Sequence, residues 1–300
     1  MSTSTAERHS VTYAQNFLRS RNLVDRLLDR SSIGPDDLVL EIGPGKGIIT
    51  ERLARRCRRV VAVEKDAALA RRLHRRFAGV PNVAVHAADA LTFPLPNGRY
   101  KVFASIPFNA TAAIAGKLTT GSSPPADAYL VVQREAAARF LGAPRETLAS
   151  LLLTPWFAPS IVHHFRRSDF APAPAVDVVL LRLARRESPL VAPEEGHDFR
   201  DFAVYAFTAW QPTLRATLDR LFPHRRLRQI MAELGIAPHA TPAAVRCEQW
   251  LALFAAFRTD AGPRGRALIR GAEQRWRKQQ ACVQKIHRTR IAPSWRTQSS

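Results

Sequence analysis

Five short, Val-rich apolar runs, at residues 38–42, 60–64, 83–87, 100–104 and 128–132, constrain this chain more than any other feature. Apolar runs of this length with little polar alternation suit strands buried on both faces of a sheet. Between them lie stretches with helical apolar spacing, such as 48–57 and 67–77. Strand and helix in alternation predict an α/β fold with a parallel, doubly wound sheet in the amino-terminal two thirds. Farther on, residues 161–170 and 176–183 flank the Pro172/Pro174 turn and predict a terminal antiparallel hairpin.

After Arg185-Arg186 the pattern changes. Residues 187–197 hold two prolines, a Glu pair and Gly196, a composition that suits a linker. Only helical patterns follow it, over 198–210, 213–222 and 225–234, the last closed by Gly235. Thr241-Pro242 supplies an N-cap and a first-turn proline for a helix over 243–257. The organisation expected is a flexible amino terminus over 1–10, an α/β domain over 11–186, the linker, and a helical domain over 198–260. From 261 to 300 the periodicity dissolves into an Arg-rich tail, expected to be disordered until a partner orders it. There Arg264, Arg266, Arg270, Arg275, Arg277, Lys278, Lys285, Arg288, Arg290 and Arg296 face Glu273 alone, with Trp276 and Trp295 interleaved.

The formal charge of +20 repels itself unless a polyanion neutralises it, so nucleic acid leads as the partner and an acidic membrane surface trails. No run approaches the ~20 apolar residues of a membrane helix, and the amino terminus MSTSTAERHS has no apolar signal region, which points to the cytoplasm. Cys57, Cys247 and Cys282 are far apart and lack ligand spacing, so neither a metal nor a disulfide framework is expected. His163 and His164 are neighbours in a strand and face opposite sides, which disfavours a shared metal. Trp156 and Phe157 are expected to pack in the core. The Arg clusters at 55–59 and 71–76 are expected to be solvated faces, whereas Arg225, Arg226 and Arg228 are candidates for phosphate contact.

The chemistry concentrates at strand ends. Glu41-Ile-Gly-Pro-Gly-Lys-Gly47 follows the first run and precedes a helix, the setting in which Gly43, Gly45 and Gly47 let a ligand lie against the main chain. Glu64 ends the second run, where such folds hold a ribose diol with a carboxylate, and Asp89 follows the third. The spacing is GxGxG and not GxGxxG, and Lys46 is not followed by Ser or Thr, so a dinucleotide or a P-loop phosphate fits poorly. The adenosine of S-adenosyl-L-methionine fits better. At the end of the fourth run stands Phe103-Ala-Ser-Ile-Pro-Phe-Asn-Ala-Thr111, with a small hydroxyl and a ring around an Ile-Pro pair.

These pieces occur in order with Gln15-Asn-Phe-Leu18, Gln133-Arg-Glu135 and Phe170-Ala-Pro-Ala-Pro-Ala-Val176. Together, over residues 11–258, they resemble the rRNA adenine N6-dimethyltransferases, and within them the Erm group that modifies large-subunit rRNA and confers macrolide, lincosamide and streptogramin B resistance. Ile-Pro-Phe at 106–108, the segment 248–254 and the basic tail favour Erm over the housekeeping small-subunit enzymes, which usually carry Leu-Pro-Tyr. The resemblance implies a Rossmann-like class I S-adenosylmethionine-dependent methyltransferase with a small all-helical, rRNA-binding carboxy-terminal domain, acting as a monomer on 23S rRNA.

The resemblance also implies that Asn16 and Leu18 contact the cofactor, that Gly43 and Gly45 lie beneath it, that Glu64 holds the ribose hydroxyls and that Asp89 binds the adenine edge. Ser105 stands where cofactor meets target. An exocyclic adenine amine is a poor nucleophile, so the catalytic set Ser105, Ile106, Pro107 and Phe108 is expected to aim its lone pair and to stack on the flipped base. Relatives most often carry Asn at the position of Ser105; the shorter hydroxyl is expected to leave an active enzyme, slower or biased toward monomethylation. A small-subunit rRNA dimethyltransferase and a non-catalytic RNA-binding factor on the same fold are the alternatives.

Overall fold

The computed structural model describes residues 16–289. The segment 1–10, expected to be flexible, lies outside them, as do Arg290, Trp295 and Arg296. Two compact units divide the chain: residues 1–141 with 157–187, and residues 142–156 with 188–300.

The first unit begins with β1 (Phe17–Leu18) and α1 (Arg21–Asp29), then alternates β2 (Leu38–Ile42), α2 (Ile48–Arg56), β3 (Arg59–Glu64), α3 (Ala67–Phe77), β4 (Val83–Ala87), β5 (Lys101–Ser105), α4 (Thr111–Thr120), β6 (Asp127–Gln133) and α5 (Arg134–Leu141). The second unit takes α6 (Leu148–Leu153) before the chain returns to the first for β7 (Phe157–His164), β8 (Phe170–Ala171) and β9 (Val178–Arg185). A seven-stranded sheet in the order β4-β3-β2-β5-β6-β9-β7 results, parallel from β4 through β6. All five expected strands are present. Val39, Val60, Ala62, Val102, Phe103 and Val132 are wholly buried, as a sheet covered on both faces requires. Helix starts are capped as their sequences suggest: Ser20 accepts from the Leu23 amide, and Asp66 accepts from those of Ala68 and Leu69.

The expected hairpin forms, but not as a simple sheet edge. β9 pairs antiparallel with both β6 and β7 and so lies inside the sheet. Its sequence VVLLRLAR is almost continuously apolar and buried, whereas β7, with Pro159 and exposed Ser160 and His164, suits the edge. The Pro172 region is not a tight turn either. Phe170 and Ala171 turn aside as β8 and pair with Leu18 and Phe17, tying the amino-terminal strand to the sheet's flank.

The second unit continues through α7 (Gly196–Thr208), α8 (Leu214–Leu218), α9 (His224–Glu233), α10 (Cys247–Asp260), α11 (Pro263–Ile269) and α12 (Ala272–Thr289). Its core gathers Phe199, Phe202, Trp250, Phe254 and Phe257. Three expectations need correction. The helical unit reaches back to 142–156, so the α/β domain is not the continuous segment 11–186: α6 buries Leu151 in the helical core after a capping box between Thr147 and Ser150. The stretch 187–197 is not a free linker, because Val191 is buried in that core and the Leu190 amide bonds the Pro155 carbonyl. The segment 261–289 is helical. Ile269 and Ala272 are buried, and Asp201 accepts from the amides of Gly271 and Glu273. Gly265 lies so close to Leu221 that a Cβ would come within 2.7 Å of its carbonyl oxygen. Scattered apolar residues among many arginines are a weak periodic signal, and neighbouring helices supplied the rest.

The Arg clusters are partly tethered to their own domain: Arg56 bonds Asp29 and the Ile33 carbonyl, and Arg76 bonds Glu51 and the Lys46 carbonyl. Arg226 pairs with Asp260. Phe157 is buried, and Trp156 packs edge-on against Phe199 with the Arg200 guanidinium 4.4 Å from its ring centroid.

Candidate functional site

Four of the expected site segments meet at the carboxyl ends of β2, β3, β4 and β5, all within the first unit. In an open α/β sheet this is where ligands bind, beside the switch in strand order that here falls between β2 and β5. Ile42 pairs with Ala104, so the residues that follow, Gly43 and Ser105, face one another. Gly43 has φ 71°, and a Cβ there would stand 2.4 Å from the Ser105 carbonyl oxygen. Glycine is required twice over, by conformation and by space. Gly45, at φ 57°, lies against the Phe17 ring, over which the Lys46 ammonium sits 5.1 Å from the centroid. Gly47 opens α2.

The acids are held by main-chain amides. Glu64 is 3% exposed; its Oε2 accepts from Gly45 N–H at 3.0 Å and its Oε1 from Asp66 N–H at 2.9 Å. The bond to Gly45 joins the glycine loop to the end of β3. Asp89 accepts from Leu91 N–H at 2.9 Å and pairs with Lys65 Nζ at 2.9 Å. The amide bond first and then Lys65 hold its carboxyl below the usual range, so it stays ionised. Lys117 of α4 donates to the carbonyls of Ala90, Leu91 and Phe93 and fixes the loop after Asp89.

Ser105 ends β5, and its hydroxyl has no partner among the described residues. Ile106 is buried; Pro107 caps a short 3-10 turn over Phe108–Ala110 and accepts from the Ala110 amide at 2.9 Å. Phe108 packs one side on the core and keeps part of its ring accessible. Asn16 precedes β1 and is half-buried; the Leu18 side chain lies in the core, and Leu18 pairs with Phe170 across β1 and β8.

Several residues here carried no readable signal in sequence. Lys65 and Lys117 reach the site only through the fold, and Phe17, quoted within Gln15-Asn-Phe-Leu18, had no role assigned to it. Glu41 is 1% exposed, and burial, opposed by Thr50 beside it and reinforced by repulsion from Glu64, pushes its pKa to about 8. Its place one residue before the glycine loop was the available hint.

S-adenosyl-L-methionine fits these residues. A cradle without Cβ atoms lies beside a buried carboxylate with acceptor capacity left for a diol, and an ionised acid follows the next strand. Among the described residues no group of three or more His, Cys, Asp or Glu side chains could hold a metal, and no helix is long and apolar enough to cross a membrane.

The ribosomal RNA adenine dimethylase family matches residues 6–259. An rRNA adenine N-6-methyltransferase of Saccharopolyspora erythraea is 33% identical over 88% of this chain and 70% of its own length. An rRNA methyltransferase of Streptomyces thermotolerans is 37% identical over 84% of each. The crystal structure of the 23S rRNA methyltransferase ErmE superposes with a TM-score of 0.74 at 33% identity, covering 81% of this chain and all of that one. A dimethyladenosine transferase from Plasmodium falciparum, 22% identical over 81% of this chain and 97% of its own, shares the fold at a TM-score of 0.68. The chain belongs to the ribosomal RNA adenine dimethylase family and is an S-adenosyl-L-methionine-dependent rRNA adenine N6-methyltransferase.

Proposed function

We propose that the target is an adenine of 23S rRNA and that its methylation confers macrolide, lincosamide and streptogramin B resistance, with the enzyme working as a cytoplasmic monomer. Support comes from the likeness to ErmE across 81% of the chain. Asn16, the Leu18 backbone, Gly43, Gly45, Glu64 and Asp89 hold the cofactor, Glu64 on the ribose hydroxyls and Asp89 on the adenine edge. The bound cofactor supplies an electrophilic methyl on a sulfonium.

The amine is the harder partner, because its lone pair is delocalised into the ring. The observation that carries the reading is the unpartnered hydroxyl of Ser105, a residue whose backbone carbonyl lies against Gly43, with the half-accessible Phe108 ring three positions on. Ser105 Oγ and the Ile106 carbonyl accept from the amine N–H groups, turning the nitrogen toward tetrahedral geometry and aiming its lone pair. Phe108 stacks on the extruded base, a contact worth ~1–3 kcal/mol that tolerates any base. Choice of adenine therefore rests with the amine contacts and the shape of the pocket. Pro107 sets the separation between hydroxyl and ring, and the proton leaves once the nitrogen has been alkylated.

Primer extension on rRNA from cells with and without the gene tests this reading. A new stop in 23S rRNA with raised macrolide tolerance is expected. A stop confined to small-subunit rRNA would overturn the target.

A further inference from the structure

The helical unit carries a cavity of about 480 Å³, lined by none of the residues assigned to cofactor or catalysis. Its size falls within the ~300–1,000 Å³ of small-ligand sites. Buried Ile236, Ala240 and Val245 make an apolar floor; exposed Arg145, His239 and Arg246 stand around it. Two backbone ties bring the arginines together across a hundred residues of sequence: Glu146 N–H donates to the Ala243 carbonyl at 3.1 Å, and Cys247 N–H donates to Glu146 Oε1 at 3.2 Å. The Glu146 carboxylate is turned inward, its other oxygen accepting from Ser150 Oγ at 2.7 Å. Among the described residues neither arginine nor His239 has an ion-pair partner. Like charges assembled beside one cavity, none of them held in an ion pair, favour an anion there.

A second observation lies next to it. Trp210, in the loop between α7 and α8, is 87% exposed, far above any other large apolar side chain described. The Leu214 amide bonds the carbonyl of Ala240, a cavity residue, at 2.9 Å. Trp210 lies four positions from that anchor, so its Cα is within about 15 Å of the Leu214 Cα. Cations that track a phosphate backbone beside an aromatic face that accepts a base are the two components of a single-stranded nucleic-acid site.

We propose that this cavity and Trp210 form an auxiliary RNA subsite, in which Trp210 stacks on an unpaired base of the substrate while Arg145 and Arg246 hold flanking phosphates. The subsite rests on the rRNA-methyltransferase reading, but binding tests it separately from methyl transfer. Affinity of the full-length protein for a fluorescein-labelled single-stranded oligoadenylate is measured by anisotropy across salt concentrations, beside methylation kinetics on an rRNA fragment. Trp210→Ala should weaken oligoadenylate binding about tenfold and raise KM with kcat unchanged, Trp210→Phe should restore most of it, and RNA should quench indole fluorescence in the wild type but less in Trp210→Phe. Arg145→Ala with Arg246→Ala should flatten the slope of log affinity against log salt by about 1.4, at ~0.7 per phosphate. Unchanged affinity, slope and quenching would overturn the subsite even if the rRNA is methylated, and would leave the bare indole to a protein partner. Normal binding effects with no methyl transferred would overturn the catalytic reading alone.

Discussion

At the carboxyl ends of the strands the acids and glycines assigned to the cofactor are tied to the main chain. Glu64 receives two backbone amides, and Gly43 touches a carbonyl. In the helical unit the groups assigned to RNA stand in solvent on short loops: Arg145, His239, Arg246 and Trp210. The contrast separates two kinds of requirement. A cofactor needs atoms fixed to fractions of an ångström, so the backbone itself is part of the site and restricts which residues can be there. A polyanion needs positive potential and a stacking surface, which many arrangements supply.

The sharpest way to break this contrast is a pair of glycine substitutions. Gly43→Ala forces a side chain into φ 71° and onto the Ser105 carbonyl, so calorimetry should show cofactor affinity falling more than 100-fold, at or beyond ~3 kcal/mol. Gly235→Ala, at φ 64° in the helical unit with nothing within 4 Å, should cost only ~1 kcal/mol by thermal melting and leave cofactor affinity intact. Equal losses in the two would refute the distinction.

Next in size is Ser105. Ser105→Ala should lower kcat about 100-fold, the scale of losing one preorganised contact to the reacting group, while cofactor binding persists. Ser105→Asn should shift the product toward dimethyladenine, read by mass spectrometry of the nucleosides. Full dimethylation by the native enzyme at the same rate would remove any limit set by serine.

The smallest expected effect concerns Glu41. Its folded pKa of about 8 lies above the 4.5 of an unperturbed carboxyl, so the folded state holds the extra proton. The stability that this proton carries is complete below about 4.5 and is lost as pH rises through about 8. The wild type should lose more melting temperature than Glu41→Gln between pH 6 and 9, a window taken from that shift. Parallel curves would show that Glu41 is ionised in the fold.

Much of the first unit was legible. Val-rich runs could only be interior strands, and glycines at 43, 45 and 47 with Glu64 and Asp89 marked the ligand end, because strict backbone requirements leave strict residue patterns. The insertion of β9 between β6 and β7 was not legible, since antiparallel partners are chosen by which strand best tolerates an exposed edge. Nor was the recruitment of 142–156 into the helical core, because a six-residue helix such as Leu148–Leu153 has no intrinsic allegiance. The segment 261–289 misled for the reverse reason: its arginines dominate the composition, while Gly265 and Ile269 decide where it packs.

Sequence by itself determined the α/β class, the cofactor's loop and the order of acids after it, since local conformation and burial demand particular residues at each. Only the tertiary structure decided that Phe17 lies on Gly45, that Lys117 pins the loop after Asp89, and that Arg145 stands beside Arg246. Those contacts join residues 24 to 101 positions apart, and no local preference encodes a partner at that distance.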